Sequence, residues 1–254
     1  MSRALVAAVA ALAWMSAGVP DAALAQSSPI VCQPVVPCPD PAACPDITVD
    51  RRHLAEWYVQ EQFFDPLDCT VVEGHVLPGL RLLLRFPTWL SNIGAGTLSL
   101  GDPVRRGDLF EWATCHGHFH FRDYAVHRLW RAALYLDWMR LKAAHPEICP
   151  AELLRLHSEI GTQVISGFKQ GFCLLSLRPV CEPAPPYNPS FSCANQGIDA
   201  GWSDVYTADT EGQWIDITSV PPGHYILEIE INSERLIQES NYINNSATIA
   251  VEIK

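Results

Sequence analysis

The segment Cys-His-Gly-His-Phe-His at residues 115–120 places three histidines at alternate positions. A β-strand has a side-chain period of two, so a strand through this segment directs His116, His118 and His120 to one face. Three imidazoles that converge in this way can bind one metal ion and leave a coordination position open for chemistry. Ligation by histidine alone favours copper or catalytic zinc, and the spacing does not separate the two. The alternative is a set of solvent-facing histidines on an edge strand.

The N-terminus and the cysteines both indicate export. Residues 1–25 read as a signal peptide, in which Arg3 precedes an apolar stretch that ends in a small-x-small cleavage pattern. Gly18, Pro20 and Asp21 interrupt that stretch, which is shorter than the roughly 20 apolar residues of a membrane span. We therefore expect no stable membrane span after cleavage. All nine cysteines follow the leader, which favours disulfides and a secreted or periplasmic location.

The formal charge is −11. The leader contains one arginine and one aspartate, so its removal leaves this charge unchanged. An acidic chain is a poor partner for nucleic acid, and we expect no nucleic-acid role. Its field would attract cationic partners such as amines or Lys-rich proteins, although acidity is also an ordinary means of keeping a protein soluble.

The composition divides the rest of the chain into two parts. Residues 26–45 contain three cysteines and six prolines, which exclude regular helix and inner strand and predict a linker or a disulfide-tied arm. Residues 46–254 are long enough to form one domain with a well-buried core.

The apolar pattern of this domain predicts a mainly β fold with long loops and a helical insertion at about 131–160. Helical spacing from Leu129 to about Ile160, broken at Pro146 and Pro150, predicts two helices. Residues 53–64 have a helical or mixed pattern. Strands are predicted at 80–86, 110–124, 161–175, 213–217, 221–231 and 246–253, the last two as an antiparallel pair.

The segment 110–127 resembles the copper-binding segment of lysyl oxidases, in which a Trp, a Cys and three alternating His recur. Further motifs follow in the family's order and extend the resemblance from about residue 46 to residue 253. They are Leu-Leu-Arg-Phe at 83–86, Asn-Ile-Gly at 92–94, Gly-Phe-Lys-Gln-Gly-Phe-Cys-Leu at 167–174, Cys-Ala-Asn-Gln-Gly-Ile at 193–198, Asp-Val-Tyr at 204–206, Gln-Trp-Ile-Asp-Ile-Thr at 213–218, Pro-Gly-His-Tyr-Ile at 222–226 and Glu-Ser-Asn-Tyr-Ile-Asn-Asn at 239–245. The resemblance implies an antiparallel, β-sandwich-like catalytic domain.

The resemblance also implies an activity. Lysyl oxidases use copper and a self-made cofactor, lysine tyrosylquinone, to oxidise primary amines with O2 to aldehyde, ammonia and H2O2. The substrate would be peptidyl lysine, in a Lys-containing protein, or a small amine. The matching cofactor residues are Lys169 and Tyr206, and the implied copper ligands are His116, His118 and His120. The alternatives are a non-catalytic metal-binding module of the same fold and a zinc hydrolase, neither of which needs Lys169 and Tyr206.

The sequence also bears on the catalytic base and on one disulfide of the implied site. The base that removes a proton from the substrate could be Asp204 or His127, because both lie near the motifs. The cysteines that flank the cofactor tyrosine in animal members are replaced by Trp202 and Gly212. The disulfide that pins that loop in animal members is therefore expected to be absent.

A calcium site is a further implication of the resemblance. In the family, the motif at 239–245 can bind calcium together with an aspartate near the start of the domain, and oxygen ligands suit calcium. The candidate ligands are Asp46, Glu239, Asn241, Asn244 and Asn245. The alternative is a polar turn that caps two strands, since an aspartate of the animal motif is Asn241 here.

The disulfide connectivity is not fixed by the sequence, because six cysteines already allow 15 pairings. From the resemblance we expect Cys115 and Cys173 both to be bridged. The available partners are Cys69, Cys181 and Cys193.

Overall fold

The computed structural model describes residues 44–122, 124–167 and 172–254. The predicted signal peptide, the predicted arm up to residue 43 and the candidate cofactor residue Lys169 lie outside these ranges. The described chain is mainly β, as the sequence predicts, with several antiparallel sheets and few helices. None of the helices in these ranges is both long and apolar enough to cross a membrane.

The described chain contains fifteen named strands, and its longest helical region lies between β8 and β9. They are β1 (Ile47–Val49), β2 (Tyr58–Phe64), β3 (Gly79–Arg85), β4 (Thr88–Asn92), β5 (Leu98–Gly101), β6 (Phe110–Ala113), β7 (His118–Phe121), β8 (Ala125–Arg131), β9 (Ile165–Ser166), β10 (Arg178–Pro179), β11 (Gln196–Ile198), β12 (Trp202–Tyr206), β13 (Trp214–Asp216), β14 (Gly223–Ile231) and β15 (Ser246–Ile253). The helices are α1 (Arg51–Leu54), α2 (Cys69–Val72), α3 (Ala132–Ala144), α4 (Pro150–Leu156) and α5 (Ser158–Gly161), with a 3-10 turn at Pro103–Arg105.

The sheet with the longest strands has the order β15-β14-β8-β9. β14 and β15 pair antiparallel along their length, which confirms the pair predicted from their alternating pattern. Successive residues of β14 point to opposite faces of the sheet. Ile226 packs in a second core beside the helical insertion. The main core receives Tyr225, Leu227, Ile229 and Ile231.

Three buried charged side chains and the partly buried Lys142 connect the helical insertion to this sheet. Glu228 and Glu230 of β14 both form ion pairs with Arg128 of β8 and with Lys142 of α3. Two cations balance two carboxylates, so the network is neutral and can be buried. The Lys142 ammonium also lies 5.2 Å from the ring centre of Trp138. Charge pairing therefore holds the insertion on the sheet together with apolar packing.

Two predicted boundaries are wrong. The first helix begins at Ala132 rather than Leu129, because residues 129–131 continue β8 in register with β14. The strand predicted at 161–175 is absent from most of its described length, where only Ile165–Ser166 forms a strand and Phe172 forms a single β-bridge. The insertion also contains the short helix α5 in addition to the two predicted helices.

Two further sheets have three or more strands, and one of them contains candidate site residues. One has the order β1-β4-β12-β10, and β12 places Asp204 opposite Leu90 and Tyr206 opposite Thr88. The other has the order β13-β3-β2. The segment with the mixed pattern, 53–64, contains the end of α1 and the whole of β2.

Two disulfides confirm the expectation that Cys115 and Cys173 are bridged. Cys115 is bonded to Cys69, and Cys173 is bonded to Cys193. Cys181 is also disulfide-bonded. The first bridge joins α2 to the turn before β7, and the second joins the segment after residue 171 to the loop before β11.

The buried charge network leads to a prediction about stability. Lys142→Met leaves two buried carboxylates with one cation and should lower the free energy of unfolding by about 3–5 kcal/mol. Arg140→Met is the matched control, because Arg140 on the same helix pairs with Asp137 in an exposed position. That change should cost less than about 1 kcal/mol. Urea unfolding measures both, and equal effects would contradict the role given to the network.

Candidate active site

The three candidate metal ligands lie on a short hairpin. β6 and β7 pair antiparallel from Phe110↔Phe121 to Ala113↔His118, with a turn between them. The single strand predicted over 110–124 is therefore wrong. Gly117 has a φ of 67°, a left-handed conformation that favours glycine and lets the chain reverse.

The turn changes how the histidines converge. His118 and His120 lie on β7 and share one face, as predicted, whereas His116 lies in the turn. The three ring centroids are nevertheless 4.9, 5.2 and 5.8 Å apart. The alternate histidines therefore come together by a turn and a strand rather than by one continuous strand.

The nitrogen geometry fits a metal ion. The Nε2 atoms of His118 and His120 are 3.1 Å apart. Two nitrogens that each bind an ion at about 2.0–2.1 Å are expected to lie about 3 Å from one another. The Sγ atoms of Cys173 and Cys193 lie within 4.8 Å of a ring nitrogen of His118, but they form a disulfide and present no thiolate. The donors at this point are thus imidazoles, which suit copper or zinc.

Core packing and a disulfide hold the hairpin in place. Phe121 is fully buried in the main core, and Phe119 packs against that core. The Cys69–Cys115 disulfide fixes the residue that precedes His116. The Nε2 of His116 lies 3.8 Å from Oε2 of Glu73.

A single β-bridge brings the segment after residue 171 against the hairpin. The Phe121 N–H donates to the Phe172 carbonyl at 3.0 Å. The Phe172 ring lies 6.4 Å from the ring of His120 and 4.2 Å from the ring of Tyr206, measured between centroids. Phe172 is thus a shared neighbour of the histidine cluster and the candidate cofactor tyrosine.

Tyr206 itself is held in an aromatic pocket. Its hydroxyl donates to the Cys173 carbonyl at 2.5 Å, and Tyr124 packs edge-on against its ring at 5.3 Å. Burial raises the pKa of Tyr206 well above its usual value, and nearby Asp204 and Tyr124 raise it further. Tyr124 and Phe172 lie inside the motifs at 110–127 and 167–174, but the sequence predicts no role for either of them. Their only signal is that they are aromatic residues within a motif.

The two candidate bases have different surroundings. Asp204 is fully buried, and burial raises the pKa of its carboxyl well above the usual value. His127 is also fully buried and packs edge-on against Phe86 at 4.8 Å. Burial, followed by the charge of Arg128, lowers the pKa of His127 to about 3. His127 is therefore a neutral core residue over the ordinary pH range.

Glu239 is the centre of the candidate calcium cluster. Its Oε2 accepts from the Ile47 N–H at 2.9 Å, and its Oε1 accepts from the side chains of Asn232 and Asn245 at 2.7 and 2.6 Å. Burial raises its pKa to about 7. Its neutral form is therefore favoured in the folded protein without calcium.

The remaining calcium candidates divide into two groups. Asn244 donates to Asp46 at 2.9 Å, beside β1. The side-chain oxygens of Asn244 and Asn245 are buried and have no hydrogen-bond partner among the described residues. Asn241 instead accepts from the N–H of Ile243 in a local turn. The structure therefore gathers Asp46, Asn244 and Asn245 near Glu239, while Asn241 bonds within its own loop.

The fold and the site define a mainly β protein with a histidine cluster near a partly buried tyrosine. The family model described as lysyl oxidase matches residues 148–254. Rat (Rattus norvegicus) protein-lysine 6-oxidase is 31% identical over 214 residues, which is 79% of this chain and 44% of the relative. Pig (Sus scrofa) protein-lysine 6-oxidase is also 31% identical over 214 residues, which is 79% of this chain and 73% of the relative. Chicken (Gallus gallus) lysyl oxidase homolog 2 is 33% identical over 182 residues, 70% of this chain and 19% of the relative.

The chain therefore belongs to the lysyl oxidase family. The matched part spans less than half of the rat and bovine relatives.

The buried carboxyl of Glu239 leads to a prediction about pH. Its pKa rises from 4.5 to about 7 on folding, so its stabilising effect is complete below about pH 4.5 and is lost as the pH rises to about 7. The loss amounts to roughly 3 kcal/mol. In calcium-free protein, Glu239→Gln should remove this part of the pH dependence of the free energy of unfolding. The exposed change Glu56→Gln is the control, and identical pH profiles for both variants would contradict the prediction.

Proposed function

We propose that the chain is a secreted or periplasmic copper-dependent amine oxidase of the lysyl oxidase type. It would convert a primary amine, O2 and water into an aldehyde, ammonia and H2O2. The observation that carries the proposal is the position of Phe172, whose ring neighbours both His120 and Tyr206. This position supports one site for the proposed copper ligands and the candidate cofactor tyrosine.

His116, His118 and His120 would hold the copper, and the separation of their rings and nitrogens supports that assignment. Bound copper would supply the redox chemistry by which O2 oxidises the Tyr206 ring, to which the Lys169 amine would then be joined. The described residues would hold the Tyr206 ring in position and cover part of it.

The pocket favours a single orientation of Tyr206. The Cys173 carbonyl accepts the hydroxyl proton, and the rings of Phe172 and Tyr124 pack on the ring from two directions. Apolar packing of this kind also keeps bulk water from a reactive ring. The residue that accepts this hydroxyl bond, Cys173, is four residues after the candidate lysine Lys169 in the sequence.

Several other features of the proposal concern the whole chain. Residues 1–25 would be a signal peptide, 26–45 an arm and 46–254 the catalytic domain. The Glu239 cluster would bind calcium through Asp46, Glu239, Asn244 and Asn245, because it joins two carboxylates to two unpartnered amide oxygens. The substrate class is primary amines, including peptidyl lysine in a partner protein.

Two substitutions test the proposal together. Tyr206→Phe should leave copper bound at one equivalent but abolish the coloured phenylhydrazine adduct and all oxidase activity, because the ring lacks the hydroxyl from which a quinone forms. His118→Ala should lose both copper and adduct. Tyr187→Phe changes an exposed tyrosine and should change neither. Metal analysis and visible absorbance measure both outcomes. Oxidase activity retained in Tyr206→Phe would contradict the cofactor assignment, and copper without any adduct in the wild type would favour a metal-binding module.

A further inference from the structure

Asp204 is a buried carboxyl group next to the candidate cofactor tyrosine. It lies two residues before Tyr206 on β12, and residues at this spacing share one face of a strand. Its relative exposure is 0%. The fold therefore places a carboxyl group inside the aromatic pocket of Tyr206.

The hydrogen bonds of Asp204 are incomplete. Oδ1 accepts from the Val205 N–H at 3.1 Å, but Oδ2 is buried without a hydrogen-bond partner among the described residues. No lysine, arginine or histidine in those ranges forms an ion pair with it. The hydroxyl of nearby Tyr124 is likewise buried without a partner. Tyr206 and the Leu175 backbone also act on this carboxyl group by hydrogen bonding. No described cation offsets the cost of burying it.

We propose that Asp204 is the catalytic base of the amine oxidation. Its carboxylate would accept the proton that leaves the carbon next to the substrate nitrogen. The substrate amine would first condense with a quinone carbonyl and release water. The carbon–hydrogen bond would then break, its proton would pass to Oδ2, and its electron pair would reduce the cofactor through the carbon–nitrogen bond. Water would release the aldehyde, and O2 would take up the two electrons and two protons as H2O2 while the nitrogen leaves as ammonia. This inference rests on the proposed function, because it assigns one step of that reaction.

The other groups near the site are weaker candidates for this step. His127 packs against Phe86 in the core, and a pKa of about 3 makes its imidazole a poor proton acceptor. Tyr124 is a neutral phenol whose pKa burial raises well above 10. Burial has the opposite consequence for Asp204, because it raises the carboxyl pKa and makes the carboxylate a stronger base than an exposed aspartate.

The test compares Asp204→Asn with Asp204→Glu and with Asp209→Asn, a control that makes the same change at an exposed aspartate outside the pocket. Phenylhydrazine first counts the quinone in each copper-loaded protein. Turnover is then measured with butylamine and with its α,α-dideuterated form. We expect Asp204→Asn to form the adduct, to lose about 1000-fold in kcat, and to show a larger deuterium isotope effect than the wild type. Asp204→Glu should recover at least tenfold over Asp204→Asn, and Asp209→Asn should match the wild type.

The outcomes separate this inference from the proposed function. A wild type without adduct would contradict the proposed function itself. Adduct in Asp204→Asn with kcat within tenfold of the wild type would overturn the role of Asp204 alone. Loss of adduct in Asp204→Asn, with adduct kept in Asp209→Asn, would also overturn it. That result would assign Asp204 to cofactor formation instead of substrate oxidation.

Discussion

The candidate site depends on one backbone contact, the bridge in which the Phe121 N–H donates to the Phe172 carbonyl. Phe121 ends the histidine hairpin, and Phe172 is the first described residue after the lysine segment. The bridge therefore sets Phe172 between His120 and Tyr206. The Cys173–Cys193 disulfide and the bond from the Gln196 side chain to the Phe119 carbonyl hold the same junction. Without this junction the histidines and the tyrosine would belong to separate parts of the fold.

The fold treats its buried charges in two ways. On the face of β14 that meets the insertion, Glu228 and Glu230 are matched by Arg128 and Lys142, and the network is neutral. In the pocket of Tyr206, Asp204 is buried with no cation among the described residues. The first arrangement stabilises the attachment of the helical insertion. The second arrangement is locally destabilising, and proteins keep such groups at functional sites.

The sequence predicted those parts of the fold that a local pattern determines. β14 and β15 follow from their alternating residues, and the convergence of the three histidines follows from their spacing. The hairpin turn was not predicted, because it depends on the left-handed conformation of Gly117 rather than on a hydrophobic pattern. The start of α3 was misplaced, since residues 129–131 have helical spacing but pair with β14.

The candidate site, too, was predicted only in the parts that a local motif contains. Family motifs indicated Lys169 and Tyr206, but only the tertiary structure shows Phe172 beside Tyr206 and distinguishes Asp204 from His127. That choice depends on burial and on neighbours far apart in the sequence, which no local pattern contains.

The most direct test of the account is the covalent state of Tyr206. Copper-loaded, aerated protein would be labelled with phenylhydrazine, digested with a protease, and its coloured peptide identified by mass spectrometry. The account predicts one coloured species in which the peptide of Lys169 is joined to the peptide of Tyr206. Recovery of both peptides unmodified and unlinked, from protein that contains a full equivalent of copper, would contradict it.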